Sequence, residues 1–131
     1  MDYTEEQKRE YWERTSSVDG EDPQQVRRDA SGAIIHYSKY KDRNSDYGWE
    51  IDHIYPKSLL EEAKVPEELI NDPHNLRPMN WKNNVSKGCD YPSYTTVLTA
   101  LGSKNVEKKG TRVVNADIQE DLKELYKDYL G

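Results

Sequence analysis

The chain has 131 residues, with 19 Lys+Arg against 25 Asp+Glu, a formal net charge of −6, and hydrophobic and charged fractions of 34% each. That length supports one domain around one small core, and no apolar run approaches the roughly 18–20 residues of a membrane-spanning helix. The single cysteine, Cys89, excludes an internal disulfide and any multi-cysteine zinc site.

The start, MDYTEEQKRE, is polar and carries no apolar h-region, so no secretory signal and no membrane partner are expected. With one cysteine, this predicts a reducing, cytoplasmic setting. Ten Tyr and three Trp with no Phe predict a core of amphipathic aromatics whose OH and NH groups need partners. Thr4 followed by Gln7 fits a capping box opening a helix with Tyr11 and Trp12 on its apolar face. Residues 16–30 read as a loop, with a turn at Asp19-Gly20. Ile34, Ile35 and Tyr37 suggest a strand, and KDRNSDYG a turn. Trp49 to Tyr55 reads as a second strand ended by Pro56. Residues 57–70 read as one or two short helices interrupted at Pro66, and Asn71-Asp72-Pro73 as a turn. A short helix over 79–88 is stopped by Gly88. Ile118, Leu122, Leu125 and Tyr129 fall at helical spacing behind a cap at Asn115, a packing helix.

The charge is unevenly spread. Residues 1–30 hold nine acidic and five basic side chains, a balance of −4. Residues 75–112 hold seven basic and two acidic ones, a balance of +5. The total therefore averages an acidic N-terminal part and a locally basic stretch. In that stretch Arg77, Lys82, Lys87, Lys104, Lys108 and Lys109 are candidate phosphate contacts, since each can donate to phosphate without reading sequence.

Chemistry concentrates at the centre. Asp52-His53 puts a hard oxygen ligand beside an imidazole, a pair that could hold a divalent cation and activate a water next to it. Glu50 and Asp52 alternate along a strand and so face one side, making Glu50 a further candidate for metal support. Asn80, Asn84 and Lys87 stand at i, i+4 and i+7 and would share a helix face. Carboxylates and amides suit Mg²⁺ or Mn²⁺ rather than a soft metal. Four asparagines in ten residues (75, 80, 83 and 84) are poor helix formers; capping and turns explain some of them, but not Asn84 inside a helix.

An Asp-His pair ending one strand, an Asn opening the next, an Asn nine residues on and a Lys three further are here Asp52-His53, Asn75, Asn84 and Lys87. In this pattern the chain resembles the HNH endonucleases, in their Asn-bearing variant. GWEIDHIYPKSLL and NLRPMNWKNNVSKGCDYPS resemble the HNH domain of CRISPR effector nucleases, and DASGAIIHYSKYKDRNSDYGWEIDH is similar to the region upstream of the motif in small stand-alone, often phage-borne, HNH proteins. The motif covers roughly residues 48–93, and the looser likeness about 25–127.

The resemblance implies an α+β fold with a ββα-metal core and flanking N- and C-terminal helices. It implies one domain over 1–131: an N-terminal helix and acidic loop (1–24), the core (25–93), then a basic segment and C-terminal helix (94–131). It implies a bacterial or phage-infected host cell, a DNA substrate, expected to be duplex, and one catalytic Mg²⁺ or Mn²⁺ held by Asp52 and Asn84. His53 would be the general base, a role that suits an imidazole with its ordinary pKa of about 6.5. Asn75 would brace the loop and hold the His in place. Many relatives carry two CxxC pairs for a structural zinc. The second would fall at Asn80 and Asn83, so no structural zinc is expected. A protein partner supplying specificity and a homodimer are both compatible with the motif. The alternative reading is a catalytically silent binding module on the same fold, an inhibitor or adaptor of a nuclease or defence protein.

Overall fold

The computed structural model describes residues 2–131. Helix α1 (Glu5–Trp12) opens on a complete capping box, with Thr4 and Gln7 each accepting from the other's backbone N–H, and it buries Tyr11 and Trp12. Three short strands follow, β1 (Ser16–Ser17), β2 (Val26–Arg28) and β3 (Ile34–His36), antiparallel in that order. This corrects the loop expected over 16–30 and the strand expected to reach Tyr37, which instead opens a 3-10 turn. The cause is tertiary. The Arg27 side chain ties β2 to the carbonyls of Pro23 and Thr15, contacts that no local apolar pattern encodes.

Strand β4 (Trp49–His53) pairs antiparallel with β5 (Leu76–Asn80), placing Asp52 opposite Arg77 and His53 opposite Leu76. Between them lie α2 (Lys57–Glu62) and α3 (Glu67–Ile70), separated around Pro66 as the sequence predicts. Helix α4 (Trp81–Lys87) follows β5 directly. Asn80, expected on the helix, instead ends β5 and caps α4, its side chain accepting from the N–H groups of Lys82 and Asn83.

The segment after Gly88 is a long antiparallel hairpin, β6 (Ser93–Leu101) and β7 (Lys104–Val113), turning at Gly102-Ser103 with Gly102 at φ 63°. Sequence reading treated this segment only as basic. Asn115 caps α5 (Ala116–Leu125), which breaks at Tyr126 before α6 (Lys127–Leu130), so Tyr129 leaves the face shared by Ile118, Leu122 and Leu125. Among the described residues the fold is α+β, with six helices and three small antiparallel sheets. No helix there is long and apolar enough to cross a membrane.

The β4–β5 hairpin sits between two apolar clusters. Trp49, with Ile51 beside it, joins Trp12 and Ile35, while Met79 joins a larger group with Leu60, Tyr94, Leu122 and Tyr126. A buried polar clamp holds the base of α4. The Asp29 carboxylate accepts from the Ser31 and Ala33 N–H groups, the Ser31 hydroxyl and the Asn80 N–H. Burial pushes its carboxyl pKa up, against the pull of these hydrogen bonds. The Asn83 amide donates to Ser31 Oγ and the Leu98 carbonyl, and accepts from the Val97 and Leu98 N–H groups beside the register shift in β6. Asn80 and Asn83, the positions that the sequence resemblance compares with a zinc-binding cysteine pair, are therefore hydrogen-bonding residues here.

Candidate active site

Strand β4 ends on Asp52-His53, and α4 packs across the hairpin so that Asn84 and Lys87 turn toward it. Asp52, His53 and Asn84 line one shallow recess of about 240 Å³, rimmed by Lys57, Ser58 and Cys89. The Asn84 amide nitrogen donates to Glu50 Oε1 at 3.2 Å. Among the described residues its carbonyl oxygen has no protein partner.

Asp52 is buried and faces two cations. Arg77 Nε stands 3.3 Å from Oδ2 and Lys87 Nζ 3.4 Å from Oδ1. Lys87 Nζ also donates to the His53 carbonyl at 3.2 Å. Burial lowers the Lys87 pKa, and the Asp52 carboxylate opposes that shift. The expectation that Lys87 and Arg77 meet phosphate is corrected. Lys87 is 1% exposed and Arg77 8%, because the helix face that carries Lys87 is turned inward to balance Asp52.

Glu50 does not line this recess. Arg43 grips its carboxylate through Nε at 2.8 Å and Nη2 at 2.9 Å, so it orients Asn84 instead of standing beside Asp52 as an open ligand. Lys82 pairs with Asp46 at 2.7 Å. Lys104, Lys108 and Lys109 project from β7, exposed and with no carboxylate partner among the described residues, and none lines the recess.

His53 Nε2 lies 2.7 Å from Asn71 Oδ1. An amide oxygen only accepts, so with the amide so oriented Nε2 carries the hydrogen, and in the neutral ring Nδ1 then keeps its lone pair. Asn71 caps the C-terminal end of α3 and was read from sequence only as a turn residue. Nothing local marks it, since its partner is 18 positions away. Asn75 is fully buried; its side chain accepts from the Tyr55 N–H and donates to the Tyr55 and Ile70 carbonyls. It thereby braces the chain just beyond His53 without touching the ring.

A second recess of about 420 Å³ adjoins the first and shares Ile51, His53 and Lys57 with it. Tyr3 and Tyr40 line it, with Lys41, Glu50, Glu67 and Asn71. A separate hollow of about 500 Å³ holds Arg14, Arg28, His74 and one side of Arg77, but none of Asp52, His53 and Asn84.

No three His, Cys, Asp or Glu side chains gather into a metal cluster among the described residues. The oxygen donors of the recess are one carboxylate and one amide, which suits a hard divalent cation that keeps most of its own water. Asp52 can still serve as a ligand, because a carboxylate offers about four lone-pair sites and the two cations occupy two. No protein-family model, curated protein or solved structure matches the chain.

Proposed function

We propose that the protein is a metal-dependent endonuclease of the HNH type, hydrolysing DNA phosphodiester bonds on a ββα-metal core made of β4, β5 and α4. The observation that carries this reading is the convergence of Asp52, His53 and Asn84 on one recess, with the His53 ring oriented by Asn71. In it Asp52 and Asn84 hold one Mg²⁺ or Mn²⁺, which when bound supplies charge stabilisation at the scissile phosphate and the leaving 3′-oxygen. His53 Nδ1 takes a proton from the attacking water, and Asn71 keeps the ring in the tautomer that allows it. Asn75 fixes the chain after His53, and Lys87 holds the Asp52 carboxylate and the His53 carbonyl together. Lys104, Lys108 and Lys109, and Lys82 beyond its ion pair, supply backbone contacts to DNA.

One observation favours a second reading. The two cations on Asp52 compete with a divalent ion for the same carboxylate, as expected of an HNH-fold module that binds a partner without cutting. One assay separates the two. Supercoiled plasmid or single-stranded DNA is incubated with the protein in Mg²⁺ or Mn²⁺, beside a His53→Ala variant. Metal-dependent cutting of either that the variant loses supports the nuclease. Intact plasmid and intact single-stranded DNA under both metals support the binding module.

A further inference from the structure

The recess that holds Asp52 and Asn84 does not end at His53. Ile51 and Lys57 also line the larger hollow on its other side, where Tyr3 and Tyr40 stand. His53 lines both recesses, so a phosphodiester placed at His53 has the tyrosine-lined recess on one side of it. We infer that this second recess seats the base of the nucleotide flanking the scissile phosphate, and that the substrate is therefore a single strand or a nucleotide lifted out of its stack. The inference rests on the nuclease reading and adds the form of DNA that it takes.

Four features support a base as the occupant. The volume, about 420 Å³, is that of a small-molecule site and admits a nucleoside. Tyr3 offers an aromatic ring and Ile51 apolar surface, Tyr40 being packed against Trp49 with Lys8 and Lys41 over its ring, and base–aromatic contact is tolerant of sequence. The polar groups are of both kinds: Lys41 and Lys57 can donate, and the Glu50 and Glu67 carboxylates can accept, Glu50 while gripped by Arg43. Lys57 is exposed, carries no carboxylate partner among the described residues and belongs to both recesses, which places a cation where the backbone would pass. A base inside a stacked duplex cannot enter such a recess without leaving the stack.

The test measures fluorescence anisotropy in EDTA, with the full chain and two 12-nucleotide single strands of the same length, one normal and one fully abasic. The wild-type chain should bind the normal strand at least about fivefold more tightly than the abasic one. Tyr3→Leu, near the chain start, should lose most of that difference while binding the abasic strand as before. Lys57→Met should weaken both strands equally. An unchanged circular dichroism spectrum shows that each variant is folded. Equal affinity of the wild-type chain for both strands overturns the inference, as does a Tyr3→Leu change common to both, or no measurable binding. If plasmid is cut and the base makes no difference, only this inference falls. If the base matters and no metal supports cleavage, the nuclease reading falls instead.

Discussion

Lys87 on α4 reaches across to Asp52 on β4, its ammonium 3.4 Å from Oδ1, and both side chains are buried. The contact ties the helix to the strand end that carries His53. Removing one partner of a buried pair leaves an uncompensated charge, so Lys87→Ala is expected to cost about 3 kcal/mol in urea unfolding. Lys87→Met, which keeps the apolar stem but removes the same charge, should cost nearly as much. A clearly smaller loss in Lys87→Met would show that the packing of the stem, not the ion pair, is what the lysine contributes.

The exposed lysines of β7 should behave differently. Lys108→Gln and Lys109→Gln are each expected to lower the slope of log affinity against log salt for DNA by about 1. Lys87→Met should leave that slope unchanged, because its ammonium never meets solvent. A reduced slope in Lys87→Met, or unchanged slopes in both β7 variants, would contradict this division of roles.

Asn83 uses both ends of its amide inside the protein. Asn83→Ala leaves the Val97 and Leu98 N–H groups and the Ser31 hydroxyl without that partner, so a loss of about 3 kcal/mol is expected. Chemical denaturation measures it, and a loss below about 1 kcal/mol would mean that water replaces the amide.

Tyr126 contributes to the alkaline limit of stability. Its hydroxyl donates to the Leu69 carbonyl at 2.7 Å, and burial pushes the phenol pKa well above its ordinary value. The folded state therefore holds this proton more tightly than the unfolded chain. That contribution is complete below the unfolded pKa of about 10 and is lost as pH rises toward the folded value. Tyr126→Phe should cost about 1 kcal/mol at neutral pH and show a smaller fall in stability between pH 9 and 11. Parallel profiles for the two proteins would refute the assignment.

Asn71 is a positioning residue. Asn71→Ala frees the His53 ring to turn or change tautomer, so cleavage is expected to fall roughly tenfold, about 1.4 kcal/mol of barrier. DNA affinity should not change, and the pH–rate profile should shift. A lower affinity with an unaltered profile would place Asn71 on the substrate rather than behind the histidine.

What was legible in the sequence was local: the Thr4 capping box, the Pro66 break, the Asn115 cap, the strand opening at Trp49, which stops at His53 rather than reaching Tyr55, and the alternation that puts Glu50 and Asp52 on one side. These rest on neighbours within a few residues, where backbone geometry and side-chain type suffice. The spacing from Asp52 to Asn84 was legible as a pattern, but only the fold brings the two to one recess, because β4, β5 and α4 must first stack. Long-range partners decided the rest. Charge counting made Lys87 and Arg77 surface cations, whereas a buried carboxylate 35 and 25 positions away draws both inside. Asn71 reads as part of a turn until the histidine 18 residues before it is folded against it. The β6–β7 hairpin lay beneath a basic composition, since its buried residues, Tyr94, Thr96 and Leu98, are few and are covered only once α4 lies over β6. Sequence by itself thus settled which residues could do chemistry and where several elements begin. The tertiary structure decided which of them meet, because each ion pair and amide clamp that positions the recess joins segments far apart along the chain.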